Sequence, residues 1–279
     1  MSAPITLTTD FGTRDSYVAQ MKGVILGIHP EASLIDVTHE VPQGDVRQAS
    51  WILEQIADAF PVNTIHVVVV DPGVGSNRQL VALESRGQRF LAPDNGILSE
   101  IVRQTSPMRA WRLDRESFWR KPTSTTFHGR DILAPTAAHW AHGRDPREFG
   151  TEIAPETLIL LPACNAARND EGWTSEIVAI DHFGNLLTSV RASDLGEACV
   201  DDCIVTIGDT QVRGIERFYA SRAEGELIAL FGSSGQLEVA VRNGSAAARL
   251  GLKVGAPVRV DVPRGPGDPL PRSKGRAQR

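Results

Sequence analysis

Cysteine is scarce in this chain of 279 residues, with three in all, Cys164, Cys199 and Cys203, and none of them in a CxxC spacing. An odd number without paired spacing argues against a disulfide framework and fits a reducing cytoplasm. Charge of one sign is also missing: the formal net charge is −5, which gives no support to nucleic-acid or anionic-membrane binding. No apolar run approaches the roughly 18 residues of a membrane span, and no charged-then-apolar leader precedes the first strand pattern. Phosphate-binding motifs are absent as well. GVGSNR lacks the Lys-Ser/Thr of a P-loop, and no GxGxxG opens a helix. HExxH and Cys/His clusters are missing too, which leaves a metal site only to residues that converge in space, such as Asp10, His39, Asp71 and His128. These absences describe a soluble intracellular protein without a nucleic-acid, membrane or phosphate-loop function.

What is there is an ordinary globular composition, 41% hydrophobic and 23% charged, on a chain long enough for two domains. The first half alternates strand and helix signals. ITLTT (5–9), SLIDVTH (33–39), TIHVVVV (64–70), LVALES and RFLAP read as strands. SYVAQMKGVILGI (16–28), VRQASWILEQIADAF with Asp45 as N-cap, GILSEIVRQT (96–105) and DILAPTAAHWAHG (131–143) read as helices. Strands apolar on both faces, alternating with helices, predict a three-layer α/β domain with a mainly parallel sheet over 1–162.

Beyond residue 160 the texture changes to short strand-like runs separated by Gly, Asp and Ser turns. SEIVAIDHFGNLLTSV, CIVTIGDTQV, ELIALFGSSGQLEVAV and APVRVDV predict a C-terminal antiparallel β-barrel domain over 170–264. The final 265–279, basic and rich in Pro and Gly, offer little to bury and read as a flexible tail.

In an open α/β sheet, ligands bind outside the carboxyl ends of the strands. Polar residues collect at those positions. Asp10, Phe11, Gly12 and Asp15 follow ITLTT; His39 follows SLIDVT; Asp71 follows the valines; Asp94, Asn95 and Gly96 follow RFLAP; and His128 stands beside a glycine at a helix start. Each has a plainer reading: Asp10 and Asp15 as turn or cap residues, Asp94-Asn95-Gly96 as a turn, His39 as a hydrogen-bonded structural histidine. A rim so rich in acids suits a ribose diol or a cationic ligand better than a phosphate.

TTDFGTRDSYVAQMKG, IDVTHEVPQGD, VVDPGVGSNR, APDNGIL, TFHGRDILAP and IDHFGNLLT, in this order and spacing, resemble the S-adenosylmethionine hydroxide adenosyltransferase family, related to the fluorinating and chlorinating enzymes that use the same substrate. The likeness runs from about residue 4 to about 262. It implies that S-adenosylmethionine and water give adenosine and L-methionine, with no cofactor and no metal. It also implies an N-terminal α/β domain, a C-terminal barrel, and a homotrimer whose substrate lies between one chain's N-domain and its neighbour's C-domain. On the resemblance, Asp71, Arg78 and His128 match the family's water-activating triad. Asp10 matches the acid that grips the ribose diol, with Phe11 and Asp15 in the same loop and Asn95 in the APDNG block. Asp181 and Asn185 match contacts to the amino-acid group, Ser233 and Ser234 the carboxylate-binding position, and Tyr219 and Asn243 the adenine side. Two positions depart from pattern: the fluorinating enzymes carry an arginine where Ser234 stands, and FGNxxTN reads FGNLLTS here, with Ser189 last.

The rival reading within this chemistry is halide transfer to the same carbon. Asp71 opposes it, because two negative charges about 4 Å apart repel by roughly 4 kcal/mol at an effective dielectric of 20. The related halide enzymes carry a tyrosine there, and the fluorinating ones a long insertion for which the short span between Arg78 and Asp94 leaves no room. A non-catalytic binding module for S-adenosylmethionine or adenosine, and a metal-dependent hydrolase, are the alternatives from other classes.

Overall fold

Successive valines of one strand face opposite ways, and that alternation organises the first half of the molecule. Val67 and Val69 enter one apolar cluster, whereas Val68 and Val70 enter another on the far side of the sheet. The computed structural model describes residues 3–104, 107–195 and 200–262. Cys199 and the expected tail lie outside them. The chain divides after Pro162 into two compact units.

The first unit carries strands β1 (Ile5–Thr9), β2 (Leu34–Thr38), β3 (Ile65–Val69), β4 (Leu80–Ser85), β5 (Gln88–Pro93), β6 (Met108–Arg112) and β7 (Thr151–Ile153). They form one sheet in the order β2-β1-β3-β5-β4-β6-β7. β2, β1, β3 and β5 are parallel, and β6 runs with them across the reversed β4, so five of the seven strands share a direction. Helices α1 (Tyr17–Ile28) and α4 (Ala134–Ala141) cover one face, the latter entered through a π-helical turn at Gly129–Leu133. Helices α2 (Val46–Ala57) and α3 (Ser99–Arg103) cover the other. This is the expected three-layer α/β arrangement. In α1, Val18, Met21 and Ile25 recur at helical spacing and all three are buried. Asp45 caps α2 as its sequence position implies, its carboxylate accepting the Gln48 N–H at 2.9 Å.

Several elements differ from their sequence patterns. The helix expected over 96–105 is confined to Ser99–Arg103, because Gly96 occupies a left-handed turn (φ +97°) pressed against Leu161. β2 is an edge strand and is not apolar on both faces; Ile35 and Asp36 are exposed. β6 and β7 were not among the predicted strands.

The second unit comprises β8 (Ala167–Arg168), β9 (Gly172–Ile180), β10 (Leu186–Arg191), β11 (Ile204–Ile207), β12 (Thr210–Arg213), β13 (Leu227–Phe231), β14 (Gln236–Val241) and β15 (Pro257–Asp261), with short helical turns α5 (Ala192–Leu195) and α6 (Ala246–Leu250). All its strand pairings are antiparallel, in the order β12-β11-β15-β9-β10-β14-β13, with β8 beside β9. Beyond β12 the chain bonds back to β13, the Glu216 N–H donating to the Ala229 carbonyl at 2.7 Å, so the sheet curls into a nearly closed barrel. Its interior is filled by alternate residues such as Leu237, Val239 and Val241 of β14. Among the described residues, no helix is long and apolar enough to cross a membrane.

Candidate active site

The carboxyl end of β3 brings Asp71 to the rim of the parallel sheet, where the valine strand stops and Pro72 begins a glycine-rich loop. That loop returns Arg78 onto Asp71. The Arg78 Nε lies 2.9 Å from both carboxylate oxygens, and Nη2 lies 2.5 Å from Oδ2. Both side chains are nearly buried, at 7% and 10% exposure, so the pair is strongly held. The return depends on Gly75. Its φ is +82°, and a Cβ there would stand 2.6 Å from the Thr125 carbonyl oxygen.

The same Arg78 Nη2 lies 2.8 Å from Nδ1 of His128. A guanidinium has donors only, so Nδ1 accepts and the imidazole carries its proton on Nε2. The ring is neutral, in keeping with its basicity: burial, and next the positive charge of Arg78, lower the His128 pKa from its ordinary value, against smaller opposing effects of Asp71 and Asp131. Gly129 follows His128 because a Cβ there would come within 3.0 Å of Val69.

Asp71 and His128 open onto a cavity of about 520 Å³, whose lining also includes Asp10, Phe11, Tyr17 and Phe127, with Arg78 behind them. Asp10 is steadied by the Gly44 N–H, which donates to Oδ2 at 2.9 Å. Phe11, Tyr17 and Phe127 form an aromatic triangle with ring centres 5.4–5.7 Å apart. The arrangement joins one acid beside a fixed cation, one neutral imidazole with a free N–H, a second acid and an apolar wall. It can orient and polarise a water against an organic ligand.

Other predicted positions lie elsewhere. Asp15 is exposed ahead of α1 and is not in the cavity lining. Asn95 gives its amide to the Val70 carbonyl at 2.9 Å, and Asp94 accepts the Ile159 N–H at 2.8 Å, so both side chains are engaged in holding the turn. Burial raises the Asp94 pKa, with the Ile159 N–H opposing. His39 is buried between Thr9 (Nδ1 to Oγ1, 2.9 Å) and Asp36 (Nε2 to Oδ1, 3.0 Å). Among the described residues, no three His, Cys, Asp or Glu side chains converge as metal ligands.

In the second unit, Asp181 organises the turn between β9 and β10. It accepts the Phe183 and Asn185 N–H groups at 2.9 Å and the Asn185 amide at 2.8 Å. Asn185, Tyr219 and Asn243 line a second cavity of about 610 Å³, rimmed by the exposed Phe183 ring. Ser233 is exposed, and Ser234 contacts Gln236 at 3.4 Å; both sit in the β13–β14 turn and not in that lining. Ser189 binds Ser175, with hydroxyl oxygens 2.9 Å apart.

Two carboxylates escaped the sequence reading. Glu238 of β14 is 5% exposed and accepts the Tyr219 hydroxyl. Burial raises its pKa, and the nearby Asp181 adds to the rise. The Tyr219 phenol is in turn pushed up by burial and by Glu238. Asp131, three residues beyond His128, is fully buried. An apolar-flanked Glu in a strand and an Arg-Asp pair at a helix start both look like solvated charges, so only tertiary packing reveals them.

An α/β sheet with an Asp-Arg-His cluster at its carboxyl rim, followed by an antiparallel barrel, defines a two-domain small-molecule enzyme class without a phosphate loop. Residues 5–150 match the SAM hydroxide adenosyltransferase N-terminal domain, and residues 175–259 match its C-terminal domain. The chain belongs to the SAM hydroxide adenosyltransferase family. It is 36% identical over 264 residues to the (R)-S-adenosyl-L-methionine hydrolase of Thermus thermophilus, covering 92% of this chain and 99% of that one. The Salinispora tropica hydrolase of the same name is 37% identical over 257 residues, covering 92% and 97%. More distantly, a fluorinase of Actinoplanes sp. is 26% identical over 219 residues, covering 70% and 74%. A crystal structure of an uncharacterized conserved protein from Thermotoga maritima superposes with a TM-score of 0.87 at 32% identity, covering 92% and 99%.

Proposed function

We propose that this protein hydrolyses S-adenosyl-L-methionine to adenosine and L-methionine in the cytoplasm, as a homotrimer. The observation that carries the reading is the continuous contact from Asp71 through Arg78 to His128 at the rim of the first cavity. Water attacks the ribose 5′-carbon. A carbon–oxygen bond forms as the carbon–sulfur bond breaks, and the bonding pair stays on sulfur as a neutral thioether. The leaving group needs no proton, so the protein's task falls on the nucleophile.

Asp71 keeps a lone pair on Oδ1 beyond those engaged by Arg78, which accepts an O–H of the attacking water and takes up the proton that this water loses as the carbon–oxygen bond forms, leaving a neutral product hydroxyl. Arg78 fixes the carboxylate and places positive charge beside the developing hydroxide. His128 presents Nε2–H, a donor that orients an oxygen in the cavity. With Nδ1 held by Arg78, it is not placed to relay the proton. Holding the nucleophile in line contributes on the order of 7–11 kcal/mol. Asp10 is proposed to grip the ribose diol, its second oxygen being held by Gly44. Phe11 and Tyr17 flank the nucleoside, Asn95 holds the turn after β5, and Asp15, outside the cavity lining, is assigned a substrate contact from the same loop as Asp10. In the barrel unit, Asp181 and Asn185 are assigned the amino-acid group, Ser233 and Ser234 its carboxylate, and Tyr219 and Asn243 the adenine side.

Incubation with S-adenosylmethionine, with and without chloride, tests the reading: adenosine and methionine in equal amounts support it, and a halogenated nucleoside contradicts it. Full activity in a chelator is expected, because no metal takes part in the proposed reaction. A solution mass of three chains tests the assembly.

A further inference from the structure

The turn that carries His128 is held by a carboxylate outside the cavity lining. Asp131 is fully buried, yet it receives an unusual set of donors. Arg130 binds it through Nε to Oδ1 at 2.7 Å and Nη2 to Oδ2 at 2.9 Å. The Ser124 N–H donates to Oδ2 at 2.8 Å, and Arg120 Nη1 reaches Oδ1 at 3.3 Å. The backbone is tied in as well: the Asp131 N–H donates to the Phe127 carbonyl at 3.1 Å, and the Arg120 N–H to the Asp131 carbonyl at 2.8 Å. All of these bonds end within residues 120–131. The segment they close carries Phe127 of the cavity wall and His128.

Arg130 extends the device outward. Its guanidinium lies over the Phe127 ring at 4.8 Å and donates from Nη1 to Gln20 on α1 at 2.8 Å. The chain here adopts the π-helical turn, a local widening that recurs at functional sites. A buried ionic cluster is a poor way to gain stability compared with apolar packing, but it is a good way to fix one geometry.

We propose that Asp131 is the positioning residue of the site: by closing the 120–131 segment on itself, it fixes the His128 ring so that Nδ1 meets Arg78 and Nε2–H is left for the reaction. This rests on the hydrolase reading, but its first readout does not. In ¹⁵N-histidine spectra, with His128 assigned by its loss in His128→Gln, the wild-type ring shows a single Nε2–H tautomer. Asp131→Asn, which keeps the shape and removes the charge, averages the two tautomers at His128. It also lowers kcat for S-adenosylmethionine at least tenfold while KM stays within about threefold.

Unchanged ring signals in Asp131→Asn overturn the proposal, whether kcat falls or not, and so does a lowered melting temperature as the sole effect. If that variant does not fold, Arg120→Gln removes only the outermost donor. Partial tautomer averaging with a two- to fivefold loss of kcat is then expected, and wild-type spectra and rate overturn the idea. A wild-type protein with no hydrolysis would refute the proposed function and leave the spectra to decide the role of Asp131.

Discussion

Nη2 of Arg78 lies 2.8 Å from Nδ1 of His128 while also bound to Oδ2 of Asp71 at 2.5 Å, so one nitrogen joins the acid to the imidazole. Replacing the fork by a point charge breaks that junction, because a lysine ammonium cannot reproduce two coplanar contacts. Arg78→Lys is expected to lower kcat by about 10²–10³-fold, the usual effect of losing one oriented donor. Methionine release measured at saturating substrate checks this.

The neutral His128 ring sets the acid limb of the pH profile. Burial and Arg78 lower its pKa, so the unprotonated form persists below the pH at which an ordinary histidine titrates. The acid limb of the kcat profile should therefore have its midpoint below about 6.5, the ordinary histidine value. A decline centred at or above about 6.5 would contradict the assigned tautomer.

Gly75 makes the Asp71–Arg78 loop possible. Gly75→Ala would place a Cβ 2.6 Å from the Thr125 carbonyl at φ +82°, so the loop or the 120–131 segment must shift. A stability loss of about 1–3 kcal/mol is expected, read from urea unfolding, together with a fall in kcat.

Away from the site, His66 controls acid stability. It is fully buried in β3, bonded to Thr6 and stacked on Phe90 at 5.2 Å; burial lowers its pKa to about 4 from 6.5. A folded value below the unfolded one means the contribution is intact above about 6.5 and is lost as pH falls towards 4. Between pH 7 and 4 the wild type should lose on the order of 3 kcal/mol more than His66→Gln. Urea midpoints at the two pH values decide it.

Much of the fold was legible because its pattern is carried by side chains that face one way. The valines of β3 announce a strand covered on both faces, and Leu237, Val239 and Val241 announce a barrel strand. β6 was illegible because MRAWR alternates buried Ala110 with Arg109, which spends its charge on Glu152, so the run looks polar. The rim positions of Asp71 and His128 followed from their places after a strand and before a helix. Asn95 shows the limit of that rule. It follows a strand at the same rim, yet its amide is engaged with Val70, and spacing alone does not separate a ligand contact from a turn lock. Asp131 and Glu238 were hidden for the opposite reason, since a lone charge in sequence carries no sign that its partners will bury it.

Asp71→Asn tests the central claim most directly. The amide keeps the size of the side chain but not the acceptor pair that Arg78 grips or the proton-accepting charge. With S-adenosylmethionine at saturation and the fold verified by circular dichroism, adenosine formation is expected to fall by at least about 10²-fold. Adenosine and methionine released at the wild-type rate would contradict the account.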